Sequence, residues 1–191
     1  MPISPYTGKI LRVDLSTGKS AELPTAAYTD RFVGGRGMAA KIYWDEVPQN
    51  TKALDPENCL IFATGTLSCY PAIGGSRWVA CGKSPAISPE RFTYANFGGH
   101  WGAELKFAGY DALVIQGKSD KPQYIFIHDN HAEIKDASAL WGKGAIDSRE
   151  MLKAELGPSA KVVTIGPAGE NRVTLATLLA DNDASGSGGL G

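Results

Sequence analysis

The sequence carries no excess of either charge. Nineteen Lys and Arg against 20 Asp and Glu leave a net charge of -1, so nothing draws the chain electrostatically to nucleic acid or to an anionic membrane surface. Its aromatic residues are scattered, without a basic stripe beside them. No apolar run approaches the roughly 18 residues that span a bilayer. The opening Met1-Pro2-Ile3-Ser4-Pro5 lacks the charged and apolar regions of a signal peptide. These absences predict a cytoplasmic location, with no membrane or nucleic-acid partner. Cysteine is sparse: Cys59, Cys69 and Cys81 are an odd three with no Cys-x-x-Cys spacing. That argues against a disulfide framework and against a zinc or iron–sulfur site built from this chain alone. Each cysteine reads as a small buried hydrophobe. Histidine is limited to His100, His128 and His131, and no Ser, Cys or carboxylate is spaced to form a nucleophile triad with them. His128 and His131 flank a predicted turn and read as solvated. His100, beside two glycines, is the one that could face a ligand.

What the chain does have is glycine, 23 residues in 191, gathered at Gly34-Gly35-Arg36-Gly37, Gly74-Gly75, Gly98-Gly99 and Gly186 to Gly191. Clusters of this kind mark tight turns or a close approach of backbone to a ligand. Apolar alternation predicts strands over 8–15, 21–23, 59–64, 77–81, 92–96, 112–116, 162–165 and 173–179, and a hairpin over 123–128 and 132–135 around Asp129-Asn130. Helical spacing runs from Tyr28 to Val47, interrupted by the Gly34–Gly37 cluster and closed by Pro48. It recurs over 102–108 and 145–156. Many strands and few, irregularly placed helices predict a β-rich α+β domain over 1–191, in preference to a doubly wound sheet. The run from Asp183 to Gly191 is the one shift in composition. A glycine-rich turn normally leads into another element, so the chain is expected to continue beyond it.

Two strings imitate nucleotide motifs and fail on their own terms. Gly186-Ser187-Gly188-Gly189-Leu190-Gly191 fits G-x-G-x-x-G but has no following helix. Gly82-Lys83-Ser84 would end a phosphate loop, yet Arg77 stands where that loop needs its first glycine. The stretch from Gly74 to Gly109 is more informative. Arg77 follows two glycines and opens an apolar strand, where a charge is costly unless an anion or acceptor meets it. Asn96 precedes Gly98-Gly99 and a helix start, an arrangement able to offer backbone N–H groups to a phosphate. Two readings stay open: an anion seat, or a tight strand–turn–helix with Arg77 in a surface ion pair.

An ordered series of blocks then carries a resemblance. It comprises Thr7 to Gly18, Phe32-Val33-Gly34-Gly35-Arg36-Gly37, Pro56-Glu57-Asn58, Phe62-Ala63-Thr64-Gly65 and Lys83-Ser84-Pro85. Gly102 to Asp111, Leu140-Trp141-Gly142-Lys143 and Ile165 to Asn171 complete it. Over nearly the whole chain the series resembles the N-terminal domain of the aldehyde ferredoxin oxidoreductase family. The resemblance implies two packed β-sheets forming a base under a flat cofactor. That cofactor would be tungsten, or molybdenum, held by the dithiolenes of two pterins, with a magnesium ion bridging the pterin phosphates. It implies that Arg77, Ala95, Asn96, Gly98, Gly99, Asp183, Ala184 and Gly186 face the cofactor, and that the backbone carbonyls of Asn96 and Ala184 bind the magnesium. It places a 4Fe-4S cluster, the covering domains and the acid–base residues beyond this chain, so no catalytic side chain is assigned and the 191 residues alone are expected to be inert.

The implied activity is oxidation of an aldehyde to a carboxylic acid, with ferredoxin or another electron-transfer protein as acceptor, in a chain that could form a homodimer. The alternatives are another branch of the family, such as the catalytic subunit of the benzoyl-coenzyme A reductase type, or a free-standing pterin-binding module. In the late loop the family commonly reads Arg-Ala-Ala-Gly-Arg-Gly-Gly, whereas this chain reads Asp183-Ala184-Ser185-Gly186-Ser187-Gly188-Gly189. Both arginines are missing.

Overall fold

A computed structural model describes residues 4–70, 74–181 and 184–191. Its centre is a six-stranded sheet with strands β1 (Lys9–Asp14), β2 (Lys19–Pro24), β3 (Leu60–Thr64), β4 (Trp78–Ser84), β5 (Arg91–Phe97) and β6 (Ala112–Gln116). Their order across the sheet is β2-β1-β6-β3-β4-β5. Within it β1 and β6 run parallel and every other neighbouring pair is antiparallel.

Alternation along these strands creates two cores. Ile10, Ile61, Ala63, Val79, Cys81, Ala112 and Val114 point to one face and are covered by Met38, Ala39 and Ile42 of α2 (Gly35–Glu46). Leu11, Val13, Phe62, Trp78, Ala80, Ala95, Phe97 and Leu113 point to the other. There they meet Leu105 of α3 (Trp101–Phe107) and the inward side of a hairpin, β7 (Gln123–His128) with β8 (His131–Asp136). They also meet a small sheet, in which β10 (Leu178–Ala180) pairs with both β9 (Val163–Thr164) and β11 (Ser185–Gly186). α4 (Ala145–Leu156) packs beside β9. The arrangement is β-rich with helices on its faces, as expected from the sequence. Among the described residues no helix is long and apolar enough to cross a membrane.

The structure corrects several boundaries. The helical spacing from Tyr28 is two elements, a single turn α1 (Ala26–Thr29) and then α2, so the Gly34–Gly37 cluster starts a helix instead of interrupting one. Gly34 has φ 148, and a Cβ there would meet Thr66 Cγ2 at 3.2 Å; glycine lets the chain turn sharply into α2 over the end of β3. The predicted strand over 173–179 survives only as β10. Arg172 has φ 55 and the Ala176 N–H donates to the Val173 carbonyl, a turn that leaves Val173 and Leu175 exposed. The single turn α5 (Pro167–Glu170) and the two-residue β11 were too short to leave a periodic signal. Asp129 and Asn130, with φ 45 and 62, form the hairpin turn as expected.

A buried charge pair ties the N-terminal segment to this frame. The Asp111 carboxylate accepts from Thr7 N, Gly8 N and Thr25 Oγ1 at 3.1, 3.0 and 2.8 Å. Lys106 Nζ lies 3.4 Å from the same carboxylate and donates to the carbonyls of Pro5 and Thr66 at 2.6 and 2.8 Å. Every remaining donor and acceptor of the pair is thus occupied, the condition under which buried charge is tolerated.

Candidate functional site

The β4–β5 register assembles most of the site. Trp78 pairs with Phe97, Val79 with Asn96 and Ala80 with Ala95, so Arg77, one residue before β4, comes opposite Gly98. The Trp78 indole N–H donates to the Gly98 carbonyl at 3.0 Å and locks the turn after β5 to the start of β4. The carbonyl of Arg77 is held by Gly65 N and Ser68 Oγ at 3.2 and 3.3 Å. Its backbone is fixed while its side chain is exposed. The strand begins one residue later than the sequence suggested, and this removes the expected cost: the guanidinium is not embedded in apolar surroundings. Nor is it in a surface ion pair among the described residues, where no carboxylate meets it.

The late glycine run arrives at the same place from the other side. β11 lies against β5, and a Cβ on Gly186 would stand 1.9 Å from Phe97 Cζ. Ala184 packs on the same core and its carbonyl accepts the Ala180 N–H at 2.8 Å. A carbonyl oxygen has two lone pairs, so one acceptor position remains for a cation. Asp183 lies outside the described residues. Ala95 is buried against Ala80 and Phe97, which leaves only its backbone for a ligand. Asn96 points to the opposite, exposed face. Gly98 has open space where a Cβ would be, and Gly99 has φ 75. Arg77, Asn96, Gly98, Gly99, Ala184 and Gly186, distant in sequence, therefore gather at one end of the β4–β5 pair.

Two further residues stand on the face that Asn96 occupies. Tyr94 pairs with Cys81 on the side covered by α2, and the Arg36 guanidinium lies 4.4 Å from the centre of its ring. Burial pushes the Cys81 thiol up to about 12, with the Arg36 charge opposing. Cys59 is buried as well and Cys69 is half-buried, so the reading of cysteines as buried hydrophobes holds for two of the three. Strand alternation could have grouped Tyr94 with Asn96, but nothing in the sequence docks α2 beside β5.

Other candidates fall elsewhere. His100 is exposed at the N-cap of α3 without a side-chain capping bond. His131 is exposed, but His128 is held between Asp129 and Glu133 instead of standing free in water. Gly82-Lys83-Ser84 is ordinary β4 strand, with Lys83 Nζ bound to the carbonyl of Thr51. A cavity of about 760 Å³ lies on the far face, between the large sheet and the hairpin, walled by Phe62, Leu113, Ile125, Ile127, Leu152 and Val163 among others. Arg77, Asn96, Gly98, Gly99, Ala184 and Gly186 do not line it, although His128 does. Among the described residues no group of three or more His, Cys, Asp or Glu converges as a metal site.

At this sheet end two arginines, neither with a carboxylate partner among the described residues, stand beside glycine-rich backbone. The family model for the N-terminal domain of aldehyde ferredoxin oxidoreductase matches residues 10–191, and the chain belongs to that family. Tungsten-containing aldehyde ferredoxin oxidoreductases from Pyrococcus furiosus and Pyrococcus horikoshii are 43% and 42% identical to it over 187 and 189 residues, covering 96% and 97% of this chain. The chain spans 31% of the length of each of these relatives. Among solved structures, the active-site complex BamBC of benzoyl coenzyme A reductase, in complex with 1,5-dienoyl-CoA, superposes with a TM-score of 0.92. Its identity is 40%, over 98% of this chain and 29% of that one.

Proposed function

We propose that the chain is the cofactor-bearing base of a longer tungsten-pterin oxidoreductase that oxidises aldehydes to carboxylic acids with ferredoxin as acceptor. The observation that carries this reading is the gathering of Arg77, Asn96 with Gly98, and Ala184 with Gly186 at one sheet end by the Phe97–Gly186 contact. The residues fit such a group. A guanidinium offers several fixed donors to pterin and phosphate oxygens, and the open space at Gly98 lets a flat ring approach backbone. The carbonyls of Asn96 and Ala184 are hard oxygen donors of the kind magnesium takes. Bound there, the tungsten or molybdenum bis-pterin would supply the two-electron chemistry.

The chain's own part is to bind and orient. Arg77 anchors one edge of the group, while the Trp78–Gly98 hydrogen bond and the Trp78–Phe97 stack, at 4.0 Å, keep the backbone cradle rigid. Aldehyde plus water yields the acid, two protons and two electrons. The electrons would leave through a 4Fe-4S cluster held, like the acid–base groups, by the part of the protein beyond this domain. A second reading, reduction chemistry on an aromatic coenzyme A thioester, is favoured by the fold of the BamBC complex.

Anaerobic purification of the full-length protein, with metal and pterin analysis and paired assays on aldehydes and on an aryl-coenzyme A, tests both. Stoichiometric tungsten with aldehyde-dependent reduction of ferredoxin is the expected result. Protein free of tungsten, molybdenum and pterin would sink both readings and leave a structural module.

A further inference from the structure

The cofactor face has a cation that the reading above does not use. Arg36 stands in the first turn of α2, which contains no acidic residue. Its guanidinium lies 4.4 Å from the Tyr94 ring centre. Tyr94 and Asn96 are two residues apart on β5, and both leave the core face to Ala95 and Phe97. Successive same-face positions on a strand are about 7 Å apart, so the guanidinium over Tyr94 stands one such step from Asn96 along β5. The direction of α2 agrees. Its Tyr43 contacts Phe92 at 4.9 Å, farther back along β5, so the helix start, not its end, points to the Asn96–Gly98 turn. Gly34 touches Thr66, next to Gly65, whose N–H holds the Arg77 carbonyl. Arg36 and Arg77 therefore stand at the same end of the same sheet face.

Among the described residues, charge is compensated elsewhere on this helix but not here. Lys41 pairs with Asp45, and Arg12 of β1 pairs with Glu46. Among the described residues neither Arg36 nor Arg77 has a carboxylate partner. A guanidinium stacked on an aromatic ring loses rotational freedom while its N–H edges remain free to donate in the ring plane. Two such edges on one face suit a phosphate group, whose oxygens accept bidentate pairs.

We infer that Arg36, held in place by Tyr94, is a second phosphate-binding residue of this face, directed at a phosphate of the bound cofactor. Tyr94 is a positioning residue: it acts through Arg36. This rests on the cofactor reading above.

The test uses the full-length protein, purified anaerobically as wild type and as Arg36→Met, Arg36→Lys, Tyr94→Leu, Tyr94→Phe and Arg77→Met. Tungsten, pterin and organic phosphate retained by each are measured after gel filtration against increasing inorganic phosphate. Arg36→Met is expected to need about tenfold less competing phosphate for half-loss of pterin, equivalent to about 1.4 kcal/mol. Arg36→Lys, which keeps the charge and loses the planar fork, should fall between Arg36→Met and wild type. Tyr94→Leu should weaken retention, and Tyr94→Phe, which preserves the ring, should weaken it less. Because Arg36 and Tyr94 are on the surface, melting temperatures close to wild type are expected, and they separate loss of binding from loss of fold. Wild-type retention by Arg36→Met, with loss in Arg77→Met, overturns the inference and leaves the cofactor reading standing. Wild-type protein without pterin overturns both.

Discussion

Gly186 lies against the tip of the Phe97 ring, so close that an added Cβ would stand 1.9 Å from Cζ and 2.4 Å from Cε2. The ring has little room to yield, because its face is stacked on Trp78 at 4.0 Å with an interplanar angle of 12°. This contact lets the late loop reach the end of β5. Gly186→Ala should therefore push the loop away or tilt the stack, at a cost of about 1–3 kcal/mol typical of overpacking. Thermal unfolding and tryptophan fluorescence of the full-length protein check it. Phe97→Leu in the same chain should recover part of the loss, giving a non-additive pair. Additive effects would mean that the two residues do not press on each other.

Arg77 is expected to govern cofactor retention without contributing to the fold. Its side chain is exposed and its carbonyl, not its guanidinium, makes the hydrogen bonds that fix the strand entry. Arg77→Lys should lower metal occupancy about tenfold, or about 1.4 kcal/mol, because an ammonium is a point charge without the planar fork. The melting temperature of the apoprotein should not move. Full occupancy in Arg77→Lys would count against a directional contact.

Asp111 should be the opposite case, a residue of fold alone. It is 1% exposed and gathers three donors besides Lys106. Asp111→Ala leaves the Lys106 charge buried with no counter-charge among these groups, a change that costs about 3–5 kcal/mol in comparable buried pairs. Lower thermal stability and faster amide exchange at Thr7 and Gly8 are the expected signs. Native exchange at those two amides would show that the segment is held by something else.

Strand alternation made most of this fold legible in the sequence. Ile10 and Leu11, or Val79 and Ala80, are adjacent apolar residues that serve opposite cores, and they read as buried strands because both faces of the sheet are covered. The site was less accessible. Arg77, Asn96 and Gly98 share a stretch of sequence and were visible as a candidate anion seat. Ala184 and Gly186 were tied to them only through resemblance, since their approach depends on a missing side chain at 186 and a ring at 97. Arg36 escaped because cation–ring contacts between a helix and an edge strand leave no periodicity. The strand expected over 173–179 failed at Arg172, whose positive φ begins a turn that apolar content does not reveal.

His128 gives the fold a pH signature. Its Nε2 lies 3.1 Å from Glu133 Oε1 and its Nδ1 3.4 Å from Asp129 Oδ2, while Lys135 also faces Glu133 at 3.5 Å. The Glu133 bond, aided by Asp129, raises the His128 pKa above its ordinary 6.5. The same bond lowers that of Glu133 below its ordinary 4.5. A histidine raised on folding contributes stability that is complete below its unfolded value and is lost as pH rises through the folded one. A glutamate lowered on folding contributes stability that is present above its unfolded value and is lost as pH falls through the folded one. The pair should thus be most stabilising between about pH 4.5 and 6.5. The effect will be small, because both groups are solvent-accessible and salt screens them. Melting temperatures of wild type and Glu133→Gln, followed across pH at low ionic strength, should differ most inside that window and converge above it. NMR titration of the His128 ring should give a lower pKa in the variant. A histidine that titrates identically in both proteins would show that Glu133 does not hold the proton.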